Sequence, residues 1–113
     1  MARFTIGDVI VLPFPKSDGS GVKRRPSLIL AELPYFGGMD YLVCLITTRN
    51  PGDPHIIELV PADLIGGTFA VKSYLRPLYL FAAAETSIVR KIGTLAPARL
   101  KQVKEVVSVV VNP

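Results

Sequence analysis

Apolar positions in this chain come in short blocks separated by breakers. Val9–Leu12, Ser27–Leu33, Tyr41–Thr47, Ile56–Val60, Phe69–Leu75, Leu78–Ala84 and Ile88–Ile92 each span four to seven residues rich in β-branched, leucine and aromatic side chains. That pattern predicts strands. Between them lie a lead-in at Met1–Ile6, a Gly7-Asp8 turn, a long loop over Pro13–Pro26, a turn at Pro34–Asp40, and a Pro-Gly turn at Arg49–Pro54. A connection at Pro61–Gly67 carries one predicted helical turn at Ala62–Ile65, and Glu85-Thr86-Ser87 separates the last two strands. The C-terminal segment changes period. Pro97 suits a first helical residue. Leu100, Val103, Val106, Val107 and Val110 then recur at helical spacing, opposite Arg99, Lys101, Lys104 and Glu105. This predicts one amphipathic helix of about four turns. The first three strands carry consecutive apolar residues, so both of their faces should meet apolar surface. One face would fill the interior of a small barrel or strongly curled sheet. The other requires the helix or a second copy, which predicts a homodimer.

Composition narrows this picture. The 113 residues suit a single domain spanning 1–113. Ten prolines and nine glycines fit many short elements and argue against a helical bundle. No apolar run reaches about 18 residues, so no membrane partner is expected. The N-terminus shows no apolar signal-peptide region, so a cytoplasmic location is expected. The one cysteine, Cys44, sits in an apolar run and reads as a small buried hydrophobe. One cysteine and one histidine form neither a disulfide framework nor a zinc ligand set, so no metal and no cofactor are expected. A net charge of +4 permits an anionic partner without demanding one.

Candidate chemistry centres on the loop between the first two strands, where Lys16, Lys23, Arg24 and Arg25 face one acid, Asp18. Pro26 holds Arg25 in an extended backbone. An arginine fork there could grip phosphate oxygens, or the cations could form a solvated loop end; composition does not choose. Thr47-Thr48 closes the third strand and reads either as turn chemistry or as a phosphate contact. His55 stands without a neighbouring nucleophile or second histidine and reads as structural. Phe14 and Tyr35-Phe36 are loop aromatics that could stack on bases or pack against the sheet. No glycine-rich phosphate loop opens a helix, and the acids are scattered singly.

Taken together, GDVIVLPFPKSDGSGVKRRPSLIL, VCLITTRN, SYLRPLYLF and IGTLAPARLKQV resemble, in order and over nearly the whole chain, the PemK/MazF-like toxins of type II toxin–antitoxin systems. The resemblance implies a mainly β fold, a small SH3-like curled barrel with a C-terminal helix. It implies a homodimeric, metal- and ribosome-independent endoribonuclease that cleaves single-stranded RNA at short sequences and is silenced by a cognate antitoxin. Carried over by position, the catalytic pair falls on Arg25 and Thr47. Arg76, in SYLRP, falls on a basic position near the RNA groove, and Lys16, Lys23, Arg24 and Thr48 are expected to add contacts to RNA. Two departures stand out. The basic loop reads Asp18-Gly19-Ser20-Gly21-Val22 where many members carry Ser-Glu-Gln, and Ala82-Ala83-Ala84 stands where members often carry Thr-Leu-Asp. Two other classes share the scaffold: a non-catalytic toxin of the gyrase-binding CcdB type, and a barrel that binds nucleic acid without cutting it.

Overall fold

The computed structural model describes residues 3–16 and 18–113. Met1 and Ala2 of the predicted lead-in, and Ser17 of the basic loop, lie outside the described residues. The described residues form seven strands and one α-helix: β1 (Asp8–Pro15), β2 (Val22–Tyr35), β3 (Gly38–Thr47), β4 (Ile57–Leu59), β5 (Leu64–Ile65), β6 (Ser73–Ala84), β7 (Arg90–Leu95) and α1 (Pro97–Val111). The strands make one antiparallel sheet in the order β4-β6-β3-β2-β1-β7-β5.

The double-sided apolar character of the first strands follows from the pleat. Val9, Leu28, Cys44 and Ile46 face one way; Ile10, Leu12, Ile29 and Val43 face the other. The first set shares a core with Ile57 and Leu59 of β4 and Leu64 of β5, although these strands end the sheet on opposite sides. The sheet therefore curls until its two edges share one interior, and Val103 of α1 plugs it. Leu100 and Val106 pack beside Val103, but Val109, Val110 and Val111 are exposed. Of the predicted stripe, Leu100, Val103 and Val106 are thus used within the chain, Val107 is half-buried and Val110 is exposed. The other face of the sheet is covered not by the helix but by the chain's own Phe4, Phe14, Phe81 and Ile88.

Several sequence expectations change, among them the turn predicted over Pro34–Asp40, which narrows because β2 and β3 pair out to Tyr35 and Gly38. The loop predicted over Pro13–Pro26 is largely strand, because β1 and β2 stay paired out to Pro15 and Val22. Backbone pairing outweighs the polarity of Lys23-Arg24-Arg25. Gly19 and Gly21, at φ 74° and 137°, supply the left-handed backbone this turn requires. The predicted strands Phe69–Leu75 and Leu78–Ala84 merge into one strand, β6, that begins only at Ser73 and is broken in register: Cys44 opposes Leu80 while Ile46 opposes Leu75, so Arg76–Tyr79 bulges opposite Leu45. Finally, the turn predicted at Ala62–Ile65 is a 3-10 turn at Pro61–Asp63 followed by β5, and Ile88–Ile92 moves to Arg90–Leu95. Asp63 locks that turn to the helix, its backbone carbonyl accepting from Ala96 N at 2.8 Å and its Oδ1 lying 3.3 Å from Arg99 Nε.

Cys44 is fully buried, and burial pushes its thiol up to about 12. Iodoacetamide at about pH 8 should leave the native protein unmodified and alkylate it only after unfolding. Mass spectrometry reads the difference, and native alkylation would contradict the burial. On the opposite face, buried Tyr41 donates its hydroxyl proton to Glu85, which also accepts from Arg3 N at 3.1 Å. Burial and the Glu85 hydrogen bond raise the Tyr41 hydroxyl above its usual range. The Tyr41 and Arg3 hydrogen bonds hold the Glu85 carboxyl below its ordinary 4.5. A depressed carboxyl stabilises the fold above its unfolded value and loses that contribution as pH falls through its folded value. Thermal unfolding followed from about pH 6 to 3 should therefore show a shallower acid decline in Glu85→Gln than in wild type.

Candidate functional site

Pro26 sits inside a central strand, where a missing N–H normally breaks a ladder. Here it does so with consequence. The β2–β3 pairing ends at Ser27–Leu45, one residue short of Pro26. Continued in register, the next position on the same face would set Arg25 opposite Thr47. The two strands separate there instead, and both side chains line the resulting cleft, of about 450 Å³. Its other walls come from Phe14 and Pro15 of β1, Leu45 of β3, Arg49 and Pro51 of the following turn, and Arg76 and Tyr79 of the β6 bulge. A smaller recess of about 280 Å³ joins Lys23, Arg25, Thr47, Thr48 and Arg49.

The cleft is cationic. Asp53 is the acid closest to its arginines, with Oδ2 3.7 Å from Arg76 Nε. That separation is too long for a hydrogen bond, and Arg76 Nε is a buried donor without a partner. The Arg76 guanidinium also lies 5.2 Å from the centre of the Tyr79 ring. Asp53 accepts from His55 N at 2.8 Å and Asn50 from Gly52 N at 2.9 Å, so side chains of the Arg49–Pro54 turn shape its backbone. Thr47 Oγ1 accepts from Arg49 N at 3.4 Å, leaving the hydroxyl proton free to donate. Among the described residues, no histidine or carboxylate lines the cleft.

The structure thus brings Arg25, Thr47, Arg76, Lys23 and Thr48 together at one opening. It does not bring Arg24 there: the strand alternation turns this side chain to the opposite face of the sheet, where it lines a separate cleft. Lys16 is exposed in the β1–β2 turn and borders neither recess. Asp18 accepts from Ser20 N at 2.9 Å, and hydrogen bonds from Ser20 lower its carboxyl below the usual range, so it organises its own turn. Phe14 packs edge-on against Phe81 with centroids 5.1 Å apart, so packing is its main task, and it borders the cleft as well. Tyr35 and Phe36 sit at the far end of β2. His55 faces α1, beside Gln102 and Val106. Sequence reasoning missed Arg49 and Tyr79. Arg49 directly follows Thr47-Thr48 and could have been found; Tyr79 is hidden by the register break in β6.

The sequence family of PemK-like, MazF-like toxins of type II toxin–antitoxin systems matches residues 5–111. A search of curated protein sequences returned no significant match. Among solved structures, the chain is similar to a MazE–MazF complex from Deinococcus radiodurans, at 20% identity over 97% of both chains with a TM-score of 0.73. It is also similar to an endoribonuclease in complex with its cognate antitoxin from a mycobacterial species, at 17% identity over 98% of this chain and 95% of that one, with a TM-score of 0.68.

Proposed function

Because the chain belongs to the PemK-like, MazF-like toxins of type II toxin–antitoxin systems, we propose that it is an endoribonuclease whose Arg25–Thr47 cleft cleaves single-stranded RNA. The observation that carries this is the convergence of Arg25, Thr47, Arg49 and Arg76 on one opening without a carboxylate in its walls. Such a site suits a phosphodiester. The RNA 2′-hydroxyl attacks the adjacent phosphorus, the 5′-oxygen leaves with a proton, and the products are a 2′,3′-cyclic phosphate and a 5′-hydroxyl. The nucleophile belongs to the substrate, so the protein's task is to align the attack and neutralise charge growing on the non-bridging oxygens. Arg25 presents a fork to those oxygens. Thr47 donates its free hydroxyl proton to one of them, and Arg76, whose guanidinium borders the cleft, holds a neighbouring phosphate. Unstacked bases beside Phe14 and Tyr79 supply sequence choice.

The protein acts as a homodimer, with exposed Tyr79 of β6 beside the cleft and the bare valines of α1 as apolar surface for a second copy. An acidic antitoxin segment folds over the same cationic opening and excludes RNA. The structural likeness to toxin–antitoxin complexes supports this partner.

The test is purified protein with a long single-stranded RNA in EDTA, followed by end mapping. Discrete cuts with cyclic-phosphate ends are expected. Binding without new ends would favour a non-cutting barrel, and intact RNA with gyrase inhibition a toxin of the CcdB type. A further consequence concerns pH. With no histidine in the cleft, the rate should show no ionisation near about 6.5, and His55→Ala should leave the profile unchanged. A bell-shaped profile centred near neutrality that is lost in His55→Ala would refute the assignment.

A further inference from the structure

We propose that the Arg24 cleft is a second RNA-backbone site, holding a stretch of the same strand beyond the nucleotides in the Arg25 cleft; this rests on the endoribonuclease reading above. Arg24 leaves the Arg25 cleft because neighbouring residues of a strand point to opposite faces. Its exposed side chain borders a second opening. On the other face lies a concavity of about 550 Å³, bordered by Arg24, Arg90, Lys91, Thr48, Thr68 and Val71. Arg24 opposes Pro13 of β1 from one side, and Arg90 opposes Val11 of β1 from the other. Two arginines thus flank one strand, their backbones about 12 Å apart, two strand spacings across the sheet and two residues along it.

Lys91 is already committed, with its Nζ 3.1 Å from Asp8 Oδ1. Among the described residues neither Arg24 nor Arg90 has an acidic partner. Two unpaired guanidiniums over a floor of Val11, Pro26 and Ile92, with threonine hydroxyls at the rim, suit a phosphate–ribose stretch. Continuity with the first site favours RNA over an acidic peptide. Thr48 borders both the Arg24 cleft and the recess of Lys23, Arg25 and Thr47. It stands where Pro26 has already released β2 from β3, so a strand leaving the first cleft can round this end of the sheet.

The experiment measures binding in EDTA by fluorescence anisotropy, using RNAs blocked by 2′-O-methylation, one of about four nucleotides and one of about twelve. Wild type is compared with Arg24→Ala/Arg90→Ala and with Arg24→Lys/Arg90→Lys across a salt series. The ratio of long to short affinity should fall about tenfold in the alanine pair, and the salt slope for the long RNA should fall by about 1.4, or 0.7 per lost phosphate contact. The lysine pair should keep the slope, because counterion release counts charge. An unchanged ratio and slope in the alanine pair would overturn the proposal. So would an unchanged RNA affinity beside weakened binding of poly-aspartate, which would give the cleft to an acidic peptide. If wild type binds neither RNA, the endoribonuclease reading itself fails and this site falls with it, a result distinct from an RNA-binding wild type with an unchanged ratio.

Discussion

Arg25→Ala is expected to lower the single-turnover rate of RNA cleavage by about 10²–10³ while leaving the fold intact. The size follows from what Arg25 would do. A phosphorane-like transition state gathers charge on its non-bridging oxygens, and a fixed donor aimed there gains strength as that charge grows. Pro26 restricts the Arg25 backbone and ends the β2–β3 ladder beside it, so the guanidinium is presented at an opening. Arg25→Lys should recover only part of the rate, since an ammonium offers a point charge where the guanidinium offers a planar fork. Arg25 is half-buried at the sheet's rim rather than in its core, so thermal unfolding should change little. An undiminished rate in the alanine variant would remove Arg25 from the mechanism, whatever its affinity for RNA.

The second large effect is on stability. Leu28→Ala should destabilise the protein by about 2–5 kcal/mol. Leu28 is fully buried in β2, opposite Val9 and Cys44, in the core that both sheet edges share. The lost side chain leaves a cavity between strands that cannot close without disturbing the curl. Against a typical total of about 5–15 kcal/mol, that is a large fraction. Urea unfolding should show the midpoint falling by roughly 1–2 M with little change in slope. Val110→Ala is the contrast. Val110 is 42% exposed near the end of α1, so within the monomer its loss should stay inside about 0.5 kcal/mol. A Val110→Ala cost that grows with protein concentration would place the helix end in the proposed dimer interface. Whatever fraction of Leu28→Ala remains folded should still cut RNA at the normal rate, because Leu28 faces away from the cleft.

Much of the fold was legible in the order of residues. Strand β4, the C-terminal end of β3 and helix α1 were placed close to their observed bounds, because apolar period, breakers and Pro97 act locally. The two-sided apolar character of β1–β3 was legible as well, since it appears as consecutive rather than alternating apolar residues. Resemblance in ordered motifs pointed to Arg25, Thr47 and Arg76, and the structure sets all three around one opening. The basic run Lys23-Arg24-Arg25 misled in two respects. Its polarity reads as loop, whereas the ladder to β1 holds it as strand. Its contiguity reads as one patch, whereas the pleat sends Arg24 to the opposite face.

By itself, the sequence determined the mainly β character with its C-terminal helix, the apolar positions, the family and the arginine beside Pro26. These depend on local backbone preference, on side-chain polarity and on ordered motifs. Only the tertiary structure decided which faces of the sheet close on one another, that Arg76–Tyr79 forms a bulge opposite Leu45, and that Arg49 joins Arg25 while Arg24 does not. Those outcomes depend on register between strands far apart in the chain, and a one-residue change in register turns a side chain to the other face.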